Sequence, residues 1–352
     1  MAQRKLAVGL DIGSSSVKLV HLRRQKGEYA LQGFGVAPLP PETIVDGTLM
    51  NSAAVVQAIQ ALLSEQKVKA KDVAIGLRGH SVIIKKITLP RMSREELDDA
   101  MQWEAEQYIP FDVKDVNLDT HILTPEGVAG DMDVLLVAAK KEMIQDYTSV
   151  CAEAGLNAAV VDVDALAVQN AFEASYEFRE GETVALVNAG AVVTNVNVIS
   201  DGVTMLTRDV TMGGSAITEE IQKQLNVSFE EAEALKIGGQ GDSDSVVPQE
   251  VERIIQTVAD QIAGEIQRSI DFYATTSAGK PITRIYVSGG TARVPAVLRA
   301  IEQRAGVPVE VMNPFKEIDL DIRRFDPATV TGLAATAAVA VGLALRFPGD
   351  KW

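Results

Sequence analysis

The sequence predicts an α/β fold built from two similar halves, with a smaller α/β unit inserted into the first. Three observations predict it. A glycine-tipped hairpin pattern occurs twice, at residues 8–20 and 184–198. Strand and helix periodicities alternate in each half, as in layered α/β domains. Between the two hairpins, residues 79–157 break that alternation.

Residues 8–20 read Val-Gly-Leu-Asp-Ile-Gly-Ser-Ser-Ser-Val-Lys-Leu-Val. An apolar run rises to Asp11 and Gly13, and a second run carrying Lys18 follows the serines. Gly13 is expected at a tight turn that a Cβ would forbid. The tip then presents backbone N–H groups and the hydroxyls of Ser14, Ser15 and Ser16, a concavity that suits phosphate oxygens. Asp11 is placed to hold Mg²⁺ through water, and Lys18 to reach a phosphate as a point charge. The competing reading is an ordinary surface hairpin. The second copy weighs against it: aligned on glycine, Asn188 matches Asp11 and Gly190 matches Gly13. Such a wide repeat implies two half-molecules offering hairpins to one ligand. No G-x-x-x-x-G-K-S/T motif is present, which excludes the P-loop solution.

The remaining elements follow in order. Residues 29–36 read as a strand, and Pro38-Leu39-Pro40-Pro41 as a rigid connector. Asn51 or Ser52 caps a helix with Val55, Val56, Ile59, Leu62 and Leu63 on one face. Residues 73–77 form a short strand. The insert begins with a strand at 81–89. Ser93-Arg94-Glu95-Glu96 is a capping box opening a helix that Pro110 stops. Strands at 116–123 and 132–139 and a helix ending near Gly155 complete what reads as a self-contained unit. A strand at 158–163 returns to the first half, and a helix starts at Asp162-Val163-Asp164. Asp201-Gly202 is a hairpin turn. Met212-Gly213-Gly214-Ser215 starts another helix, and Ser228-Phe229-Glu230-Glu231 is a second capping box. An acidic loop at 240–245 precedes a long amphipathic helix. Residues 285–292 read strand, Gly289-Gly290 turn, then helix.

The chain has 352 residues, enough for two domains, with 47% hydrophobic and 23% charged residues, a globular mixture. A net charge of −15 weighs against broad nucleic-acid or anionic-membrane binding. Cys151 is the single cysteine, which rules out an intrachain disulfide and fits a reducing compartment. It falls on an apolar helical face and is expected in the core. The polar first residues lack a signal peptide pattern. Residues 330–345 are expected to be a buried helix, too short and too weakly apolar for a span of about 20 residues. The chain reads as cytoplasmic.

The paired hairpins and the Gly289-Gly290 turn resemble the actin-like ATPases, in which two phosphate hairpins clamp a nucleotide across a cleft. The insert is similar to that of the FtsA branch. Residues 8–20, 104–111 (Glu-Ala-Glu-Gln-Tyr-Ile-Pro-Phe), 161–166, 287–291 and 340–346 resemble the PilM family of type IV pilus assembly, and the match runs through nearly the whole chain in order. FtsA normally carries a linker and an amphipathic membrane helix after its last core helix, whereas this chain ends at Trp352.

The resemblance implies subdomains 1–78 (completed by 158–178 and 325–352), 79–157, 179–211 (completed by 281–324) and 212–280. It implies ATP and Mg²⁺ between the halves, with weak or no turnover. Phosphate contacts are expected from the first hairpin and from Asn188, Gly190, Ala191, Val192 and Thr194 in the second. Adenosine contacts are expected from Glu233 and Lys236 and from Gly289, Gly290 and Thr291, and further nucleotide contacts from Gly213, Gly214 and Arg293. Asp11 and Asn188 are the candidate Mg²⁺ ligands, and Asp162 and Asp164 the candidate water-positioning groups. Asn188 departs from the family's usual Asp: an amide can ligate but cannot act as a general base. The resemblance also implies docking of the N-terminal cytoplasmic tail of PilN, a membrane-anchored protein, with Trp103, Tyr108, Ile109 and Phe111 as candidate anchors. Other platform proteins and motor ATPases are further candidate partners, and membrane association is expected to be indirect. Two rivals remain: a small-molecule kinase, discriminated by phosphate transfer to a substrate panel, and a filament-forming protein, discriminated by sedimentation with ATP.

Overall fold

The computed structural model describes residues 5–25, 27–123, 130–179, 181–238, 249–276 and 280–350. The expected acidic loop at 240–245 lies outside them.

In the first lobe, β1 (Val8–Ile12) turns back into β2 (Ser16–Gln25), which pairs antiparallel with β3 (Glu28–Pro38). A short ribbon, β4 (Ile44–Val45) and β5 (Thr48–Leu49), precedes α1 (Ser52–Glu65). Asn51 caps α1 by accepting the Ala54 N–H at 3.1 Å. Next, β6 (Asp72–Leu77) lies parallel to β1. The chain then leaves through β7 (Val82–Leu89), α2 (Arg94–Glu104), β8 (Val116–Ile122) and β9 (Met132–Lys140), which form a separate antiparallel sheet in the order β7-β9-β8. It returns through α3 (Lys141–Glu153), β10 (Asn157–Val163) and α4 (Asp164–Glu173).

The second lobe repeats the plan. Strands β11 (Thr183–Ala189), β12 (Thr194–Ser200) and β13 (Val203–Val210) are antiparallel. Helices α5 (Gly214–Leu225), α6 (Phe229–Gly238) and α7 (Gln249–Thr276) follow. Then β14 (Arg284–Ser288) pairs parallel with β11, and α8 (Pro295–Ala305) leads to β15 (Val309–Val311). Finally β16 (Ile318–Asp319) adds to β3, and α9 (Pro327–Leu333) runs through a 3₁₀ turn into α10 (Ala338–Ala344). The sheets run β10-β6-β1-β2-β3-β16 and β15-β14-β11-β12-β13. Three antiparallel strands flanked by parallel ones occur in each, so the two hairpins occupy equivalent places.

Strand alternation explains the layers. Val8, Leu10 and Ile12 face an outer core with α1 and α3, whereas Ala7 and Ala74 face an inner core. Across that inner core, Val184 and Leu186 of β11 point back, while Ala185 and Val187 pack outward on α7 and α8. Helices α4 and α10 fill the space between the sheets. They pack very closely. A Cβ on Gly342 would lie 1.7 Å from the Ala167 carbonyl oxygen, and one on Gly9 would lie 2.0 Å from that of Ala340.

Two expectations need correction. The insert is not self-contained at its last helix: Met143, Tyr147, Val150 and Cys151 of α3 pack in the outer core of the first lobe, against α1 and β6. The three-stranded sheet closes its own core with α2 and the turn that follows it, through Leu97, Met101, Ala105, Ile109, Val134 and Leu136. The late apolar stretch is also longer than expected. Pro327–Ala344 has a mean hydropathy of 1.6, enough by length and composition for a span, yet 61% of it is buried inside the fold. Both capping boxes form, Ser93 with Glu96 and Ser228 with Glu231. Cys151 is fully buried.

Candidate functional site

The β1–β2 turn closes with the Gly13 N–H donating to the Ser16 carbonyl at 3.0 Å, and the Leu39 N–H holds the Ser15 carbonyl at 2.9 Å. The β11–β12 turn closes identically, Gly190 N–H to the Val193 carbonyl at 3.0 Å. Glycine serves close approach here. Neither residue has a positive φ, and a Cβ on Gly13 would lie 2.9 Å from the Ser16 carbonyl oxygen. Ser15 is exposed and Ser14 and Ser16 are half-buried, so hydroxyls line the first tip.

Below that tip sits a buried charge cluster. Asp11 pairs with Lys18 at 3.1 Å and with Arg78 at 3.3 Å. Arg78 also pairs closely with Asp164 and donates to the Ile12 carbonyl at 2.5 Å. Arg78 was not among the expected residues. It is the first residue after β6, and the parallel pairing of β6 with β1 brings it beside Asp11. Asp164, at the start of α4, fits over Gly76, where a Cβ would lie 2.2 Å from Oδ1. Burial would raise the Asp11 carboxyl, but Lys18 and Arg78 outweigh it and hold it below its ordinary value. Asp164 behaves oppositely: burial pushes it up to about 7, with the Asp11 charge adding and Arg78 opposing. Its Oδ1 has no hydrogen-bond partner. Asp162 is held elsewhere, in an ion pair with Arg346 at 3.2 Å, and burial raises its carboxyl.

In the second lobe, the Gly190 carbonyl accepts the Thr291 hydroxyl at 2.7 Å and the Gly214 N–H at 3.0 Å. The Ala191 carbonyl accepts the Ser215 N–H at 2.8 Å. These bonds dock the start of α5, Gly213 and Gly214, against the hairpin. Lys236 pairs with Glu233 at 2.6 Å and donates to the Gly214 carbonyl at 3.3 Å, so the α6 pair lies at the same place. Gly289, at φ +89°, donates to the Ala335 carbonyl at 2.7 Å, beside exposed Gly290 and Arg293. Ser288 donates to the Asn188 side-chain oxygen at 3.3 Å. Ala191 and Val192 are half-buried on the turn. Thr194 points inward: it is fully buried and its hydroxyl donates to the Met212 carbonyl at 2.7 Å.

One polar chain crosses between the lobes. Asn195 occupies the register of Lys18, opposite Asn188. It donates to Asp209 at 2.6 Å, and the other Asp209 oxygen accepts the Gly79 N–H at 2.7 Å. Gly79 follows Arg78 directly, so the two hairpins are joined through residues that motif spacing did not mark.

The donor set suits an anion better than a bare cation. Two carboxylates meet two cations that flank them, and among the described residues no group of three or more His, Cys, Asp or Glu could hold a metal. Glycine-tipped hairpins, free hydroxyls and two cations fit phosphate groups. A divalent ion fits only as one carried in by the phosphates, as Mg²⁺ commonly is.

On the inserted sheet, Trp103 is 76% exposed. Tyr108 and Phe111 are partly buried, with Lys85 over the first ring at 5.4 Å and Lys140 over the second at 4.5 Å. Ile109 is in the core, 6% exposed, which corrects its expected role as an anchor. A cavity of about 440 Å³ is lined by Phe111, Asp112, Asp115, Lys140, Lys141 and Glu142.

Duplicated sheets around a central helical layer, each with a glycine-tipped hairpin, define a two-lobed α/β protein of the actin-like class. The chain belongs to the family of the type IV pilus assembly protein PilM, whose family model matches residues 9–347. A solved PilM–PilN type IV pilus biogenesis complex is similar with a TM-score of 0.88 and 28% identity, covering 97% of this chain and 98% of that one. The cell division protein FtsA of Streptococcus pneumoniae is 25% identical, over 89% of this chain and 77% of its own. The ethanolamine utilization protein EutJ of Carboxydothermus hydrogenoformans shares the fold at a TM-score of 0.57 and 17% identity, covering 97% and 90%. MreB5 of Spiroplasma citri bound to ADP shares it at 0.53 and 11%, covering 97% and 95%.

Proposed function

We propose that this chain is an ATP-binding cytoplasmic scaffold of the type IV pilus inner-membrane platform that docks the N-terminal tail of PilN and turns ATP over slowly or not at all. The observation that carries this reading is the similarity to the PilM–PilN complex over 97% of the chain, inserted sheet included. The nucleotide's phosphates enter at the two hairpin tips, with Ser14, Ser15 and Lys18 on one side and the Gly190 turn on the other. The adenosine lies against Gly214, Lys236 and the Gly289-Gly290 turn. Asp11 and the Asn188 carbonyl oxygen are the residues that would hold Mg²⁺, which would screen the charge of the phosphates. Slow turnover follows from the carboxylates: Asp164 is only 2% exposed, and Asn188 takes up no proton. PilN docks beside Tyr108 and Phe111, where aromatic rings border a cavity.

The test has two arms. Mass analysis of nucleotide carried by the purified protein, and titration of Mg-ATP into wild type and Asp11→Ala, addresses the cleft. Equal affinity in both folded proteins would place the phosphates elsewhere, and turnover above roughly 1 per second would contradict the scaffold reading. Titration of a labelled PilN tail into wild type, Tyr108→Ala and Phe111→Ala addresses the partner. Wild-type binding by both folded variants would remove these rings from the docking site.

A further inference from the structure

Arg78 stands at a junction of three parts of the molecule. Its guanidinium lies under the first hairpin tip, touching Asp11, the Ile12 carbonyl and Asp164. Its backbone is the last link of the first sheet before the inserted one. The next N–H, that of Gly79 at φ +86°, is held by Asp209 of the second lobe. Side chain and backbone therefore report to different lobes within two residues.

The side chain is well suited to read phosphate. Its contacts among the described residues engage two Nη1 hydrogens and one Nη2 hydrogen. The guanidinium has five N–H donors in a planar fork, so the Nε and second Nη2 hydrogens remain for a further oxygen. Arg78 is 20% exposed and Asp164 only 2%, so an incoming anion meets the arginine first. A phosphate carries more charge than Asp164 and accepts two parallel hydrogen bonds from such a fork.

We infer that Arg78 discriminates nucleoside triphosphate from diphosphate, by exchanging Asp164 for the terminal phosphate, and passes that state to the second lobe through the Gly79–Asp209 bond. This rests on the nucleotide reading above and adds to it the residue that reads the terminal phosphate. A diphosphate lacks the group that competes with Asp164, so the Arg78–Asp164 pair persists and the Gly79 backbone keeps its position. A triphosphate draws the guanidinium toward the tip. The Gly79 N–H follows, because only one Cα separates the side chain from that peptide group. Coupling requires that the two nucleotides differ in affinity for the two arrangements, and the shared arginine supplies that difference.

The experiment uses the full chain. Affinities for Mg-ATP and Mg-ADP are measured by calorimetry for wild type, Arg78→Gln and Arg78→Lys, with circular dichroism as the check on folding. Wild type is expected to prefer ATP. Arg78→Gln should cut ATP affinity about 10- to 100-fold, the range for hydrogen bonds to charged groups, while ADP affinity moves less than about threefold. Arg78→Lys keeps the charge without the fork and should lose part of the preference. An unchanged ATP-to-ADP ratio in either folded variant overturns the inference while leaving nucleotide binding intact. A wild type that binds neither nucleotide overturns the nucleotide reading, and this inference with it. The transmission step is read by amide hydrogen exchange over residues 203–210, the strand that carries Asp209. Exchange there should differ between ATP and ADP in wild type, and the difference should vanish in Asp209→Ala. A difference that survives in Asp209→Ala overturns the proposed route.

Discussion

Replacing Asp164 with Asn should alter the pH dependence of stability in a defined direction. The Asp164 carboxyl titrates at about 7 in the folded chain, against about 3.9 when unfolded. Between those values the folded state keeps a proton that the unfolded chain has released. Unfolding free energy therefore falls as pH rises through that window. The stabilisation is complete below about pH 4 and is lost by about pH 7. Roughly three pH units at 1.36 kcal/mol each set a ceiling of ~4 kcal/mol, undiscounted for solvent because the side chain is only 2% exposed. Asp11 does not blur the window. Its folded value is lowered, so its contribution is lost only as pH falls below about 4. Asp162 is raised by burial, but it titrates in wild type and variant alike. Urea unfolding at pH 4 to 8 should show wild type losing stability relative to the variant by a few kcal/mol. Parallel curves would refute the assignment of a buried, proton-holding carboxyl at this position.

Two further outcomes are expected. Gly342→Ala places a methyl 1.7 Å from the Ala167 carbonyl oxygen, so α4 and α10 must move apart, at a cost of about 3 kcal/mol; a shift in the urea midpoint with unchanged m checks this. Cys151 is fully buried and its thiol is pushed up to about 12 by burial. Native protein at pH 8 should therefore resist a thiol reagent until denaturant is added, whereas rapid labelling of folded protein would contradict the core placement.

Much of this was legible because the informative features are local. A glycine between two alternating runs specifies a hairpin whatever surrounds it, and Ser93 with Glu96 specifies a helix start within one turn. Asp11, Gly13 and Lys18 were readable for that reason. Arg78 was not. It is an isolated arginine between a strand and a glycine, and it joins the site only because β6 lies parallel beside β1. Asp209 enters through the pairing of β12 with β13 and a contact between lobes, neither of which leaves a local pattern. Ile109 and Thr194 failed the other way. Their neighbours in sequence marked them as available, but tertiary packing turned both inward. The same holds for α3, whose apolar face is plain in the sequence while the identity of the sheet it covers is not.

The packing of α10 on β1 also bears on synthesis. Gly9 lies against Ala340, and the Ala7 N–H donates to the Arg346 carbonyl at 2.8 Å. β1 is thus covered on its inner face by a helix synthesised long after it. Domains usually complete themselves in order of emergence. Here the first lobe waits for the last helix, and the second lobe, whose outer core comes largely from residues 185–301, has its parts in hand sooner. Until then the alanine- and valine-rich inner face stays open, which makes the nascent chain a natural client for holding chaperones.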